Sequence, residues 1–213
     1  MIRAVIFDCD GVLVDSEPLT NRVIRDSLAA HGLHLTLEEV MDRFVGGTIA
    51  GIAEAARAEG YALGQDWVPT LYARMFEVLA AEVAPIPGAL ALLDRLDAAG
   101  VAYAVGSNGP ARKMEITLAR CGMQDRLEGR FLSAQDVGRS KPAPDVYLAC
   151  AELLGVRPGE AVVVEDSATG ARAAAAAGMK CYGYAPRGNG EKLRGAGAQV
   201  FHDMADLPEL LGL

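Results

Sequence analysis

The sequence predicts an α/β protein: a doubly wound parallel sheet, interrupted after its first strand by an all-helical insertion. Two observations carry this. Short apolar runs at Ala4–Phe7, Ala102–Gly106, Ala161–Val164 and Cys181–Tyr184 end in polar or turn-forming residues, which suits strands buried on both faces. From about position 85 onward each such run is followed by a stretch of helical period, which implies right-handed helical crossovers. The first run stands apart from the others and must join the sheet from a distance.

The helical stretches of the sheet region are Gly88–Ala99, Pro110–Cys121, Pro144–Leu154 and Ala168–Ala177. Between Glu17 and Val83 no segment reads as a strand. Thr36 followed by Glu39 is a capping-box pattern opening Leu37–Phe44, and Ile49–Glu59 and Val68–Glu82 keep helical spacing. The expected division is therefore a core of residues 1–16 and 84–213 and a helical cap of residues 17–83. The turn at Asp10–Ser16 and the stretch Ala84-Pro85-Ile86-Pro87-Gly88, which cannot continue a helix, are the expected hinges between them.

Composition narrows the function. Apolar residues make up 51% of the 213, enough for a buried core and no basis for disorder. A formal net charge of −8 argues against wrapping nucleic acid, yet leaves room for a small anion held by local cations and helix N-termini. No run stays apolar long enough to span a bilayer, and Asp8 ends the N-terminal run too early for a signal sequence, so a cytoplasmic, soluble protein is expected. The cysteines, Cys9, Cys121, Cys150 and Cys181, form no Cys-x-x-Cys pair and read as reduced thiols; His31, His34 and His202 read as surface residues.

Four segments carry the chemistry. Asp8-Cys9-Asp10-Gly11 follows the first strand, where open parallel sheets bind ligands, and Gly11 permits a sharp turn. Gly106-Ser107-Asn108-Gly109-Pro110 closes a strand and opens a helix, offering a hydroxyl, an amide and backbone N–H groups to phosphate oxygens. In Ser140-Lys141-Pro142-Ala143-Pro144-Asp145 the prolines set Lys141 as a point charge before a helix. Val164-Glu165-Asp166-Ser167 closes a buried strand with paired acids, a costly arrangement without a cation nearby.

One arrangement satisfies all four. Carboxylates from the first and last of these segments would hold a hard divalent cation, Mg²⁺, whose coordination needs few protein carboxylates. Asp8 would attack phosphorus, Asp10 would donate and later accept a proton, and Ser107 and Lys141 would hold phosphate oxygens as charge builds.

These residues, DCDGVLVDSE, GSN, SKPAPD and VVEDSATG, resemble the four motifs of the haloacid dehalogenase superfamily, helical-cap branch, near β-phosphoglucomutases and 6-phosphogluconate phosphatases. The resemblance covers essentially the whole chain and implies a Rossmann-like core. By position it makes Asp8 the nucleophile and Asp10 the acid/base, with a backbone carbonyl on the metal. Asp166 would be the direct carboxylate ligand, and Glu165 a metal-side carboxylate orienting a bound water. Cys9, Gly11, Ser107, Asn108 and Lys141 would surround the phosphate. The second acid, Asp10, disfavours dehalogenation.

Two departures favour hydrolysis over isomerisation. Thr20 stands where mutases of this branch carry a histidine, and Val45-Gly46-Gly47-Thr48 stands where their cap loop carries a basic residue. The expected partner is thus a small phosphorylated metabolite, bound by a monomer or weak homodimer, with a mutase as the alternative.

Overall fold

A computed structural model describes residues 2–44 and 48–213; residues 45–47 of the loop singled out above lie outside them. The chain opens with β1 (Ala4–Phe7), followed by the helices α1 (Glu17–Ala30), α2 (Leu37–Phe44), α3 (Ile49–Ala58) and α4 (Trp67–Glu82). Next come α5 (Ala89–Ala99), β2 (Ala102–Ser107), α6 (Ala111–Arg120), α7 (Gln124–Leu127), β3 (Phe131–Ser133), α8 (Ala134–Val137) and α9 (Asp145–Leu153). The chain closes with β4 (Ala161–Glu165), α10 (Ala168–Ala176), β5 (Lys180–Tyr184), α11 (Glu191–Gly195), β6 (Gln199–Phe201) and α12 (Leu207–Leu211).

The strands form one sheet in the order β3-β2-β1-β4-β5-β6, every neighbouring pair parallel. This is the Rossmann-like, doubly wound α/β fold that the sequence predicts. The order reverses at β1, which lies between β2 and β4 with Phe7 level with Val105 and Val164. Ligands of such sheets bind outside the carboxyl ends of the strands at that switch point.

β1 is buried along its whole length, as its unbroken apolar run requires. Ile6, Ala104 and Val163 face Val146, Tyr147 and Cys150 of α9 and Ala171 and Ala174 of α10. Phe7 and Tyr103 alternate to the other face, where their rings meet edge-on at 6.4 Å and the Tyr103 hydroxyl donates to Asp97 of α5 at 2.8 Å. The outer strands β3 and β6 were not anticipated: with three residues each, they are too short for a periodicity to emerge.

By its internal contacts the chain divides into two compact units, one of residues 1–15 and 84–213, the other of residues 16–83. The second is helical, with its own core of Val23, Ile24, Leu28, Ile52, Trp67 and Leu71. Its capping box is realised: the Glu39 carboxylate accepts from Thr36 N at 2.7 Å, and Thr36 Oγ1 accepts from Glu39 N at 3.1 Å. The two connectors expected as hinges are bonded to one another within the first unit, Asp15 N donating to Ala84 O and Ile86 N to Leu13 O, both at 2.9 Å. Among the described residues no helix is long and apolar enough to cross a membrane.

Candidate active site

Buried polar side chains gather at the carboxyl edge of the sheet. Asp8, Ser107, Ser133 and Glu165 end or directly follow β1, β2, β3 and β4, and Lys141 reaches the same edge from the loop before α9; all five are buried. Groups of this kind are buried only when paired, and the pairing defines the site.

Lys141 lies at its centre, its side chain only 3% exposed. Its ammonium donates to Asp8 Oδ1 at 2.5 Å and to Glu165 Oε1 at 2.8 Å, and it lies 4.6 Å from the centre of the Tyr147 ring. The Tyr147 hydroxyl donates to the same Glu165 oxygen at 2.6 Å. Glu165 Oε2 accepts from Asp166 N at 3.1 Å, Ser167 N at 3.0 Å and Ser167 Oγ at 2.8 Å. Ser167 is the N-cap of α10, so the start of that helix is built around the carboxylate. Both Glu165 oxygens accept from protein donors, and the carboxylate is the counter-charge and anchor of Lys141.

The turn after β1 is tight. Gly11 has φ +79°, its N–H donates to Val14 O at 2.9 Å, and a Cβ at this position would lie 2.1 Å from Asp166 Oδ2. Only glycine fits, and the contact brings Asp166 of the fourth segment against the loop of Asp8 and Asp10. Asp10 forms an ion pair with Lys113 of α6 at 2.8 Å. Cys9 was expected near the phosphate, but its side chain is buried, so what it can offer is its backbone N–H.

Ser107 Oγ accepts from Gly109 N at 3.0 Å at the head of α6. The Asn108 side chain spans the Lys141 backbone: its Oδ1 accepts from Lys141 N at 2.8 Å and its Nδ2 donates to Lys141 O at 3.4 Å. The amide therefore ties the Lys141 loop to the end of β2. Ser133 Oγ donates to Gly109 O at 2.8 Å and so supports the same junction from β3.

The electrostatics follow from crowding. Burial pushes the Asp8 carboxyl up to about 7, with Glu165 and Asp10 adding to the rise and Lys141 opposing it. Burial works against the Lys141 ammonium, but Asp8 and Glu165 outweigh it and the net shift is upward. For Glu165, burial is likewise overcome, by Lys141 and the hydrogen bonds of Tyr147 and Ser167, and the carboxyl lies below its ordinary range. Asp8 and Asp166, with Glu165 beside them, are side chains that could serve a hard cation here. Among the described residues no three His, Cys, Asp or Glu side chains form a ready-made metal cage.

Lys113, Tyr147 and Ser133 were not foreseen. Lys113 occurs in the first turn after Gly106-Ser107-Asn108, and Tyr147 six residues after Lys141; that proximity to the motifs is the only trace they leave in the sequence.

A sheet with this order, carrying an acid pair after β1 and a buried lysine between β1 and β4, defines a class, and the chain belongs to it: it is a member of the haloacid dehalogenase-like hydrolase family, whose model matches residues 2–178. Its reaction class is that of a phosphoric monoester hydrolase. The 6-phosphogluconate phosphatase of Escherichia coli K12 is 31% identical over 98% of this chain and 94% of its own length. SUPPRESSOR OF QUENCHING 1 of Arabidopsis thaliana is 31% identical over 95% of this chain, which spans only 20% of that protein. Among solved structures, a conserved haloacid dehalogenase-like protein of unknown function from Agrobacterium tumefaciens C58 superposes with a TM-score of 0.87 at 32% identity, covering 100% of this chain and 98% of that one. A haloacid dehalogenase family hydrolase of Deinococcus radiodurans R1, with bound phosphate and sodium, gives 0.83 at 35% identity over 99% and 95%.

Proposed function

We propose that the chain is a Mg²⁺-dependent phosphatase acting on a small phosphorylated sugar or sugar acid, 6-phosphogluconate among the candidates, through an aspartyl-phosphate on Asp8. The observation that carries this reading is the buried Asp8–Lys141–Glu165 chain at the switch point of the sheet. A lysine clamped by two buried acids is a fixed positive charge beside a carboxylate nucleophile, which is what phosphoryl transfer needs.

The donor chemistry fits the ion. Asp8, Asp10, Glu165 and Asp166 bring more negative charge to this edge than Lys141 and Lys113 cancel, and Mg²⁺ uses one or two carboxylates with waters and phosphate oxygens for the rest. Asp8 and Asp166, with the Asp10 carbonyl, would hold it, and when bound it would supply the charge neutralisation that lets an anionic nucleophile approach an anionic ester.

Lys141 occupies Oδ1 of Asp8, so attack falls to Oδ2. As the bond from Oδ2 to phosphorus forms, the ester P–O bond breaks and its electron pair goes to the leaving oxygen, which takes a proton from Asp10. Water then attacks phosphorus, Asp10 accepts a proton from it, and the P–O bond to Asp8 breaks, releasing phosphate. Ser107 and Lys141 would hold the equatorial oxygens throughout.

The test is phosphate release from a panel of sugar phosphates, 6-phosphogluconate and phosphoglycolate with Mg²⁺, for wild type and Asp8→Asn. Wild type should turn over at least one ester and the variant none; turnover retained in Asp8→Asn removes the proposed nucleophile. Conversion of a sugar 1-phosphate to its 6-phosphate without phosphate release would favour the mutase alternative.

A further inference from the structure

The side chain of Asp10 is gripped from the head of α6. Lys113 belongs to the first turn of that helix, where a lysine ordinarily extends into water and where the helix dipole disfavours a cation. Its neighbour Arg112 behaves in the ordinary way, 67% exposed and paired with Glu115. Lys113 instead turns inward, 13% exposed, with its ammonium 2.8 Å from Asp10 Oδ1. Its stem passes over Gly109, where a Cβ would lie 3.6 Å from Lys113 Cδ, 3.6 Å from Asp10 Oδ2 and 3.3 Å from Ser107 Oγ. Lys113, Asp10 and Ser107 thus converge on one small space kept open by a glycine. The main chain of Lys113 is held as well, its carbonyl accepting from Thr117 Oγ1 at 3.0 Å.

We infer that Lys113 is a positioning residue for the acid/base step: by gripping Oδ1 of Asp10 it assigns the transferable proton to Oδ2, the oxygen on the Ser107–Gly109 side. The inference rests on the proposed role of Asp10 and adds to it which atom works and what orients it. An ammonium offers only N–H donors, so the oxygen it grips cannot also present an O–H toward it. The carbonyl oxygen of a carboxylic acid is the better acceptor, so when Asp10 is protonated the ammonium favours Oδ1 as the C=O and the proton on Oδ2. When Asp10 is ionised, Lys113 still fixes the rotamer against repulsion from Asp8 and its neighbouring carboxylates. Burial alone works to lower the Lys113 ammonium, but Asp10, with Cys9 and Asp8 behind it, outweighs burial and keeps it charged.

The chemistry supplies a readout that a structural role would not move. An alkyl ester such as glucose 6-phosphate leaves as an alkoxide that must take the Oδ2 proton as its P–O bond breaks. p-Nitrophenyl phosphate leaves as a stable phenolate and needs no proton. Because kcat/KM ends with the first irreversible step, it reports this departure and not the later hydrolysis of the aspartyl-phosphate.

The experiment measures kcat/KM for both esters in wild type, Lys113→Met, Lys113→Gln, Lys113→Arg and Asp10→Asn, with Mg²⁺ present. For Lys113→Met and Lys113→Gln the alkyl ester should lose about 10- to 100-fold, part of what a general acid contributes, while the aryl ester loses less than about 3-fold. Lys113→Arg, which restores a cation, should recover most of the loss, and turnover of the aryl ester doubles as the control for folding. Equal losses on the two esters in both neutral variants, or no loss on either, overturn the positioning role while leaving Asp10 in place. If Asp10→Asn itself shows no contrast between the esters, the acid/base reading of Asp10 fails and this inference falls with it.

Discussion

Gly170→Ala offers the sharpest test of how the Lys141 anchor is built, because local and tertiary physics predict opposite signs. Gly170 lies in the first turn of α10, and replacing a helical glycine by alanine ordinarily stabilises by about 0.5–1 kcal/mol. Here the added methyl would lie 1.6 Å from Glu165 Oε1 and 1.9 Å from its Cδ. To restore an ordinary contact the carboxylate must move by more than an ångström, which breaks its bonds to Lys141 at 2.8 Å and Tyr147 at 2.6 Å. Breaking one partner out of a buried ion pair costs about 3–5 kcal/mol, several times the helical gain. For a chain of this size that corresponds to a fall in melting temperature of about 6–20 °C. Thermal unfolding followed by circular dichroism measures it directly. A double-mutant cycle sharpens it: in a Glu165→Ala background, where the clash is gone, Gly170→Ala should return to its ordinary stabilising sign. A neutral or stabilising Gly170→Ala in the otherwise wild-type chain refutes the claim that Glu165 is pinned against α10.

Two further outcomes follow from the same region and from the core. Tyr147→Phe removes a donor from a buried carboxylate but keeps the ring against Lys141, and should cost about 1.5–3 kcal/mol in urea unfolding; no measurable cost would mean the hydroxyl is not needed to hold Glu165. Burial pushes the thiols of Cys150 and Cys181 up to about 12, above the unfolded value of about 8.5. Below the unfolded value their contribution is complete; above it the unfolded chain releases protons that the native one keeps, so stability falls as pH rises toward the folded values. The urea midpoint should drop between pH 8 and pH 10, and less so in a Cys150→Ala, Cys181→Ala variant; equal drops in the two proteins would sink the attribution to thiols.

What the sequence discloses is set by how many residues carry each signal. β1, β2, β4 and β5 are runs of four to six residues, and their apolar character alone is enough to locate them. β3 and β6 are half-buried triplets whose identity as strands comes from their neighbours in the sheet. Helix limits shift by one residue at α5, α6, α9 and α10, where the flanking residue is a cap rather than a member of the helix. In the site, Asp8, Lys141 and Glu165 were legible because each ends, directly follows or precedes a regular element, so topology alone brings them to one edge. Their mutual bonds were not: nothing in the residue string says that Glu165 is filled by Tyr147 and Ser167, or that Asn108 is spent on the backbone of Lys141. Lys113 was hidden for the opposite reason, since a lysine among Arg112 and Glu115 reads as part of a solvated helix face until the fold turns it inward.

The bonds of Asp15 to Ala84 and of Leu13 to Ile86 close the base of the helical insertion like a stem beneath a loop. The entropy of bringing those two chain positions together is met there, in the sheet-bearing unit, and it grows only by about 0.6 kcal/mol for each doubling of the enclosed length. The closure cost therefore depends only weakly on the length of the excursion. A lineage built on this stem can lengthen, shorten or replace the inserted helices at small thermodynamic cost while the carboxylates of the sheet-bearing unit stay where they are.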